Sequence, residues 1–151
     1  MSILEKVNED LKASMKARDE IRTNTLRRIK TAVMNAEIKK GSALTPEEVV
    51  EAVFSMTKAQ ADSIESFKKG GREDLAKKEE QELAILKAYL PEQLSDAELE
   101  RIIKEAMAET GAVTQKDLGR IMGKVMPKVK GRADGAKINA IARQLLEKPA
   151  T

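Results

Sequence analysis

Helix punctuation recurs along this chain and dictates an all-α fold. Ser2 with Glu5, Thr45 with Glu48 and Ser95 with Glu98 each form a capping box. In such a box the hydroxyl accepts an unpaired N–H of the first turn, and the carboxylate accepts the cap's own N–H. Pro46 adds the residue best suited to a first helical position. Asp19, Thr114 and Asp134 are further start residues, while Gly41, Gly70-Gly71 and Gly111 are stop residues. The helices expected between these marks start near Ile3, at Asp19, at Thr45, near Arg72, near Asp96, at Thr114 and at Asp134. Apolar residues recur at helical spacing within them: Ile3, Leu4, Val7, Leu11 and Met15, then Leu26, Ile29, Val33 and Ala36, then Val49, Val53, Phe54, Thr57, Ile64 and Phe67. Met126-Pro127 is expected to interrupt the sixth helix, with a turn over residues 128–131.

Pro91 marks the expected domain boundary, because the residue before a proline resists helical angles. Residues 1–90 read as an N-terminal helical domain with antiparallel helix hairpins. Residues 91–151 read as a small C-terminal domain of three helices. Charge divides with them. Residues 1–90 hold 17 basic and 16 acidic groups, residues 91–115 hold 2 and 6, and residues 116–151 hold 9 and 3. The C-terminal part is therefore acidic first and basic afterwards.

Composition narrows the chemistry. Histidine, cysteine and tryptophan are absent, so the commonest general base, thiolate nucleophiles and disulfides are ruled out. Neither a metal site nor a cofactor is expected. No apolar run approaches the ~20 residues of a membrane span. The start, MSILEKVNEDLK, has acidic residues and no apolar stretch, so no secretory leader is expected and the cytoplasm is the expected compartment. The acidic runs Glu47-Glu48 and Glu79-Glu80-Gln81-Glu82 read as helix-start acids and surface pairs. Met34, Met107, Met122 and Met126 are expected in the core.

The segment KDLGRIMGKVMPKVKGRADGAKINAIAR, residues 116–143, carries eight positive and two negative side chains. Charge this concentrated is a footprint for an anionic partner. On a helical wheel Leu118, Ile121, Met122 and Val125 share one face. Arg120, Lys124 and Lys128, four apart, form a row on another, and Gly119 and Gly123 form a bare strip. That strip admits either a neighbouring helix of the same domain or a nucleic-acid backbone. Lys130, Gly131 and Arg132 extend the positive row, and the start of the last helix, near Asp134 and Lys137, offers unpaired N–H groups to phosphate. No aromatic residue interrupts the segment, so the expectation is contact with the backbone and shape of a structured RNA rather than base stacking. GRIMGKV fails as a phosphate-binding loop: three residues separate its glycines, Val125 stands where Ser or Thr is needed, and no strand precedes it. A competing reading has the N-terminal half dock another protein through Arg22, Arg27, Arg28 and Lys30.

YLPEQLSDAELERIIKEA (89–106) and DLGRIMGKVMPKVKGRADGAKINAIARQLL (117–146) closely resemble the GatB/YqeY family, and LEKVNEDLKASMKARDEIRTNTLRRIKTAVMNAEI and TPEEVVEAV resemble its free-standing branch. The resemblance implies an all-α fold with a small helical tail domain. A similar module ends the B subunit of the glutamyl- and aspartyl-tRNA amidotransferase, a carbon–nitrogen ligase with glutamine as amido donor. There it resembles a tRNA-holding device rather than an active site. The implied partners are tRNA and, through it, amidotransferase or aminoacyl-tRNA synthetase proteins. By this resemblance the chain carries no catalytic residue of its own and acts as a tRNA-binding accessory module, or as a helper subunit of the ligase. Gly119, Gly123, Lys124, Lys128, Lys130, Gly131, Arg132 and Asp134 match the tail motif, and the resemblance implies that the basic ones among them meet tRNA phosphates. With Lys116, Arg120 and Lys137 from the charge pattern, the expected nucleic-acid contacts are Lys116, Arg120, Lys124, Lys128, Lys130, Arg132 and Lys137, with Gly119, Gly123 and Gly131 allowing backbone approach.

Overall fold

The computed structural model of the protein describes residues 1–147. Among them run seven α-helices and no strand: α1 (Ile3–Ala17), α2 (Glu20–Lys40), α3 (Pro46–Lys69), α4 (Glu73–Lys87), α5 (Asp96–Thr110), α6 (Leu118–Val129) and α7 (Gly135–Glu147), with a 3-10 turn (Gln115–Asp117) leading into α6. The protein is all-α. Its helices divide into two compact units, Met1–Leu90 and Pro91–Thr151.

Local capping accounts for most helix ends. The Ser2 hydroxyl accepts the Glu5 N–H at 3.1 Å while Glu5 accepts that of Ser2 at the same distance. Thr45 with Glu48 and Ser95 with Glu98 repeat the arrangement. Asp19 starts α2 by accepting from the Arg22 N–H. Just before it, Arg18 closes α1 in the left-handed region at φ 56°, a conformation that costs a non-glycine residue and here permits the sharp reversal into α2.

In the N-terminal unit Val7, Leu26, Ile29, Val33, Val49, Val53, Leu86 and Tyr89 make one aliphatic core. α3 and α4 fold back on each other across Gly70-Gly71, where Lys68 pairs with Glu80 at 2.7 Å. Between them lies a buried polar cluster. Gln60 donates to both Glu79 and Glu82, and Arg28 reaches in from α2 to Gln60 (3.1 Å) and Glu82 (3.3 Å). Glu82 is therefore not the surface group that its mid-helix run suggests: it is buried and ties α2 to the α3–α4 hairpin. Its role is internal, because a buried carboxylate needs donors on every side.

Two methionines also depart from expectation. Met15 sits at helical spacing with its stripe and Met34 lies one residue past Val33, about 100° round the helix, yet they are 51% and 58% exposed. The core between α1, α2 and α4 closes over Val7, Leu26, Ile29 and Val33 and ends before either side chain.

The last core residue of this unit, Tyr89, donates its hydroxyl to Asp10 of α1 and takes Lys6 over its ring at 5.5 Å. Burial first, and then the Asp10 carboxylate, push the Tyr89 hydroxyl up to about 12. A neutral phenol held this way stabilises the fold fully below its unfolded value of about 10. That contribution is lost as pH rises from there through about 12. Tyr89 is the chain's single tyrosine and there is no tryptophan, so absorbance at 295 nm reads it alone. The expected titration is one transition near 12 in the folded protein, falling to about 10 in denaturant.

Candidate nucleic-acid interface

The C-terminal unit is built on a second core of Leu99, Ile103 and Ala106 from α5, Ile121, Val125 and Val129 from α6, and Ile138, Ala142 and Leu146 from α7. The α6 stripe sets which way its other faces look. It also decides the end of the helix. Pro127 does not interrupt α6, which runs on to Val129. Val129 completes the four-residue repeat of Ile121 and Val125 and is fully buried, so tertiary burial outweighs the proline. The cost falls on one hydrogen bond: Pro127 has no N–H to give the Gly123 carbonyl, which lies on an exposed residue.

Because α6 continues, Arg120, Lys124 and Lys128 form one unbroken row on it. That row runs beside the end of α5 and the 3-10 turn, and Glu109 of α5 and Asp117 of the turn meet it. Lys124 pairs with Glu109 at 3.0 Å, and Arg120 donates to Asp117 (3.1 Å) and to the Thr110 carbonyl (3.2 Å). Lys128 adds its charge at Glu109. The Glu109 carboxyl is held below the usual carboxylate range by its hydrogen bond from Lys124, then by the Lys124 and Lys128 charges. Asp117 is lowered too, chiefly by the N–H groups of Val113 and Thr114 and further by Arg120. Lys137 pairs with Asp96 at 2.5 Å. These pairs are solvent-exposed, with the Lys124 and Glu109 side chains 50% and 48% accessible, so exchanging a carboxylate for a phosphate costs little. Lys116, Lys128 and Lys130 are exposed.

Three expected contributors turn inward. Arg132 is partly buried, and its Nε donates to the Glu92 carbonyl at 3.1 Å. Gly131 is buried, with φ 75° and its carbonyl accepting from Gln93 at 2.9 Å. It makes the turn after α6 and holds the segment after Pro91, and its backbone is not open to a partner. At the start of α7 the Ala136 N–H already bonds the Asp134 carboxylate at 3.0 Å, so an anion from the chain itself occupies the place expected for phosphate.

Gly119 and Gly123 behave in the opposite way. A methyl group built at either meets nothing within 4 Å. Among the described residues no neighbouring helix packs on this strip, so of the two partners the sequence allows, internal packing is not the one they realise. The glycine against which a side chain does close is Gly135, where Met126 comes to 3.6 Å, a contact the sequence reading missed. Met126, expected in the core, is instead 39% exposed and lies over Gly135, because the core side of α6 is filled by Ile121, Val125 and Val129. Gly119, Gly123 and Pro127, four apart, thus make an open strip without long side chains, flanked by the Arg120–Lys124–Lys128 row. Among the described residues no cluster of three or more carboxylates is placed to hold a metal ion, and no helix is long and apolar enough to cross a membrane.

The fold and this surface define a class: a two-unit all-α protein that presents a cationic helix with an open glycine strip. The chain belongs to the Yqey-like protein family, whose profile matches residues 4–146. Among curated relatives it is similar to proteins named "Altered inheritance of mitochondria protein 41, mitochondrial". The one from Pyrenophora tritici-repentis is 30% identical, over 87% of this chain and 73% of its own length. That of Vanderwaltozyma polyspora is 31% identical over 74% and 64%, and that of Saccharomyces cerevisiae 27% identical over 91% and 80%.

Since nothing in the unit needs a glycine at position 123, Gly123→Ala should stabilise it. The expected gain is ~0.5–1 kcal/mol from helix propensity, measured by urea denaturation. A loss would mean that the strip is packed.

Proposed function

We propose that this protein is a tRNA-binding accessory module that grips the sugar–phosphate backbone through α6. The observation that carries the reading is the pairing of an open glycine strip with a continuous cationic row on one short helix. A helix that gives up propensity at Gly119 and Gly123 without using the space inside its own unit leaves that space to something outside it. Beside the strip, Arg120, Lys124 and Lys128 supply charge at the spacing of successive helical turns, and Lys116 and Lys130 extend it. A polyanion is the partner such a surface fits, and the backbone comes close where side chains are absent. That the polyanion is tRNA rests on the resemblance to the amidotransferase tail. So does the inference that the chain assists tRNA-linked amidation without performing it. The compartment is then one that holds tRNA, inferred here to be the cytoplasm, while the named relatives are mitochondrial by name.

The acidic α5 fits this reading. Its Glu109 and Asp96 pair with Lys124 and Lys137 while no partner is bound, and both pairs are exposed enough to open. Phosphate contact by a lysine or arginine contributes ~0.7–0.9 to the negative slope of log affinity against log salt. Filter binding of tRNA to the wild type and to a variant with the exposed Lys124, Lys128 and Lys130 changed to Ala tests it. The variant should bind more weakly, with a slope shallower by about 0.7–0.9 for each cation that touches phosphate. Unchanged affinity and slope would refute the reading.

A further inference from the structure

α2 carries apolar side chains outside its buried stripe as well as within it. Leu26, Ile29 and Val33 are buried in the core of the N-terminal unit. Outside that stripe Met34 is 58% and Ile38 73% exposed, one turn apart. Helical spacing puts Asn24, Arg27, Thr31 and Asn35 on that same outward face with Lys30 at its edge, and all of them are exposed. The face continues into a groove at the α1–α2 reversal lined by Met15, Arg18, Glu20, Thr23, Asn24 and Arg27. Apart from Met1, the exposed large apolar side chains of this unit, Met15, Met34 and Ile38, all border this one surface. Apolar anchors thus stand at its two ends, with Arg18, Arg27 and Lys30 between them. Asn24 to Ile38 alone spans ~21 Å of helix.

The charges of this surface are not used within the fold as those nearby are. Arg22 is turned toward Asp10 at 4.0 Å, and Arg28 is spent on Gln60 and Glu82. Glu37 of α2 is directed to the Leu44 N–H at 3.2 Å. The acid on the outward face is Glu20, in the first turn, where the helix dipole favours it.

We propose that the outward face of α2 docks a partner protein through an amphipathic helix whose apolar residues are flanked by carboxylates. Charge complementarity selects this occupant. A second copy of the chain, paired about a two-fold axis, would set Arg18, Arg27 and Lys30 against their own counterparts. An RNA backbone would meet the cations but leave Met34 and Ile38 facing phosphate. An acidic amphipathic helix satisfies both sets at once, its side chains reading an i, i+4 anchor pair as helix-in-groove recognition requires. The surface is on a different helix from the proposed RNA contact, so the two readings stand or fall separately.

The test uses the full chain and a fluorescent designed helical peptide of about 18 residues, long enough at 1.5 Å per residue to cover the face. It carries a leucine stripe flanked by glutamates, and a twin carries lysines in their place. Anisotropy should show binding of the glutamate peptide and not of the lysine twin. Ile38→Asp and Arg27→Glu should each weaken it by ~10-fold or more, the effect of losing a central anchor, whereas Lys124→Ala leaves it unchanged. Both altered positions are exposed, and Ile38→Ser with Met34→Ser provides a milder second variant. Equal binding of both peptides, or none, overturns the proposal. So does sedimentation showing a dimer that Ile38→Asp dissolves, binding to anionic phospholipid vesicles that Ile38→Asp abolishes, or a matching loss of tRNA affinity in Ile38→Asp.

Discussion

Burial of Ile121, Val125 and Val129 against α5 and α7 is the constraint on which the C-terminal surface depends. A twelve-residue helix has one orientation that hides this stripe, and once it is hidden the remaining positions are assigned. Arg120, Lys124 and Lys128 fall beside the end of α5, and Gly119, Gly123 and Pro127 fall where nothing covers them. The same burial carries the helix past Pro127 and so keeps Lys128 in line with the other two cations. A core of small aliphatic residues thereby decides where charge and bare backbone meet solvent.

Electrostatics then divides the surface into held and available charge. The acidic stretch before residue 116 becomes α5, and its Glu109 and Asp96 stand against Lys124 of α6 and Lys137 of α7. The polarity seen along the chain is thus, in the fold, an intramolecular pairing. Exposed pairs of this kind contribute little to stability and are easily exchanged. They keep the cationic row from acting as an unshielded patch, and they set a competition that a polyanion with many phosphates is suited to win. Glu82 shows the contrasting case: buried between α3 and α4, its carboxylate is fixed by Gln60 and Arg28 and serves the fold.

What could be read in advance was local. Capping boxes involve residues three apart, so Ser2, Thr45 and Ser95 announce their helices without reference to the rest of the fold. The row and strip on α6 are likewise a matter of helical spacing. What escaped depended on distant partners. Pro127 reads as a break unless the burial of Val129 is known. Met34 reads as core by its apolar side chain, but it lies about 100° round the helix from Val33, and the core closes over Val33 and leaves it outside. Gly131 and Arg132 look like the tip of a basic loop until Gln93 and Glu92 are found against them, some 38 and 40 residues away in sequence. Asp134 was legible as a helix cap, and its consequence, that the cap excludes a phosphate, follows once its carboxylate is seen on the Ala136 N–H.

The central claim is that the open strip of α6 is where a folded RNA approaches this protein. Glycine amide resonances are resolved from most others in a nitrogen–proton correlation spectrum, and Gly119 and Gly123 report the strip directly. Titration of the labelled full chain with tRNA should shift or broaden these two signals, together with those of Lys124 and Lys128, ahead of Gly41, Gly70 and Gly71 in the N-terminal unit. Binding that leaves Gly119 and Gly123 unmoved while perturbing the glycines of the other unit would contradict the account.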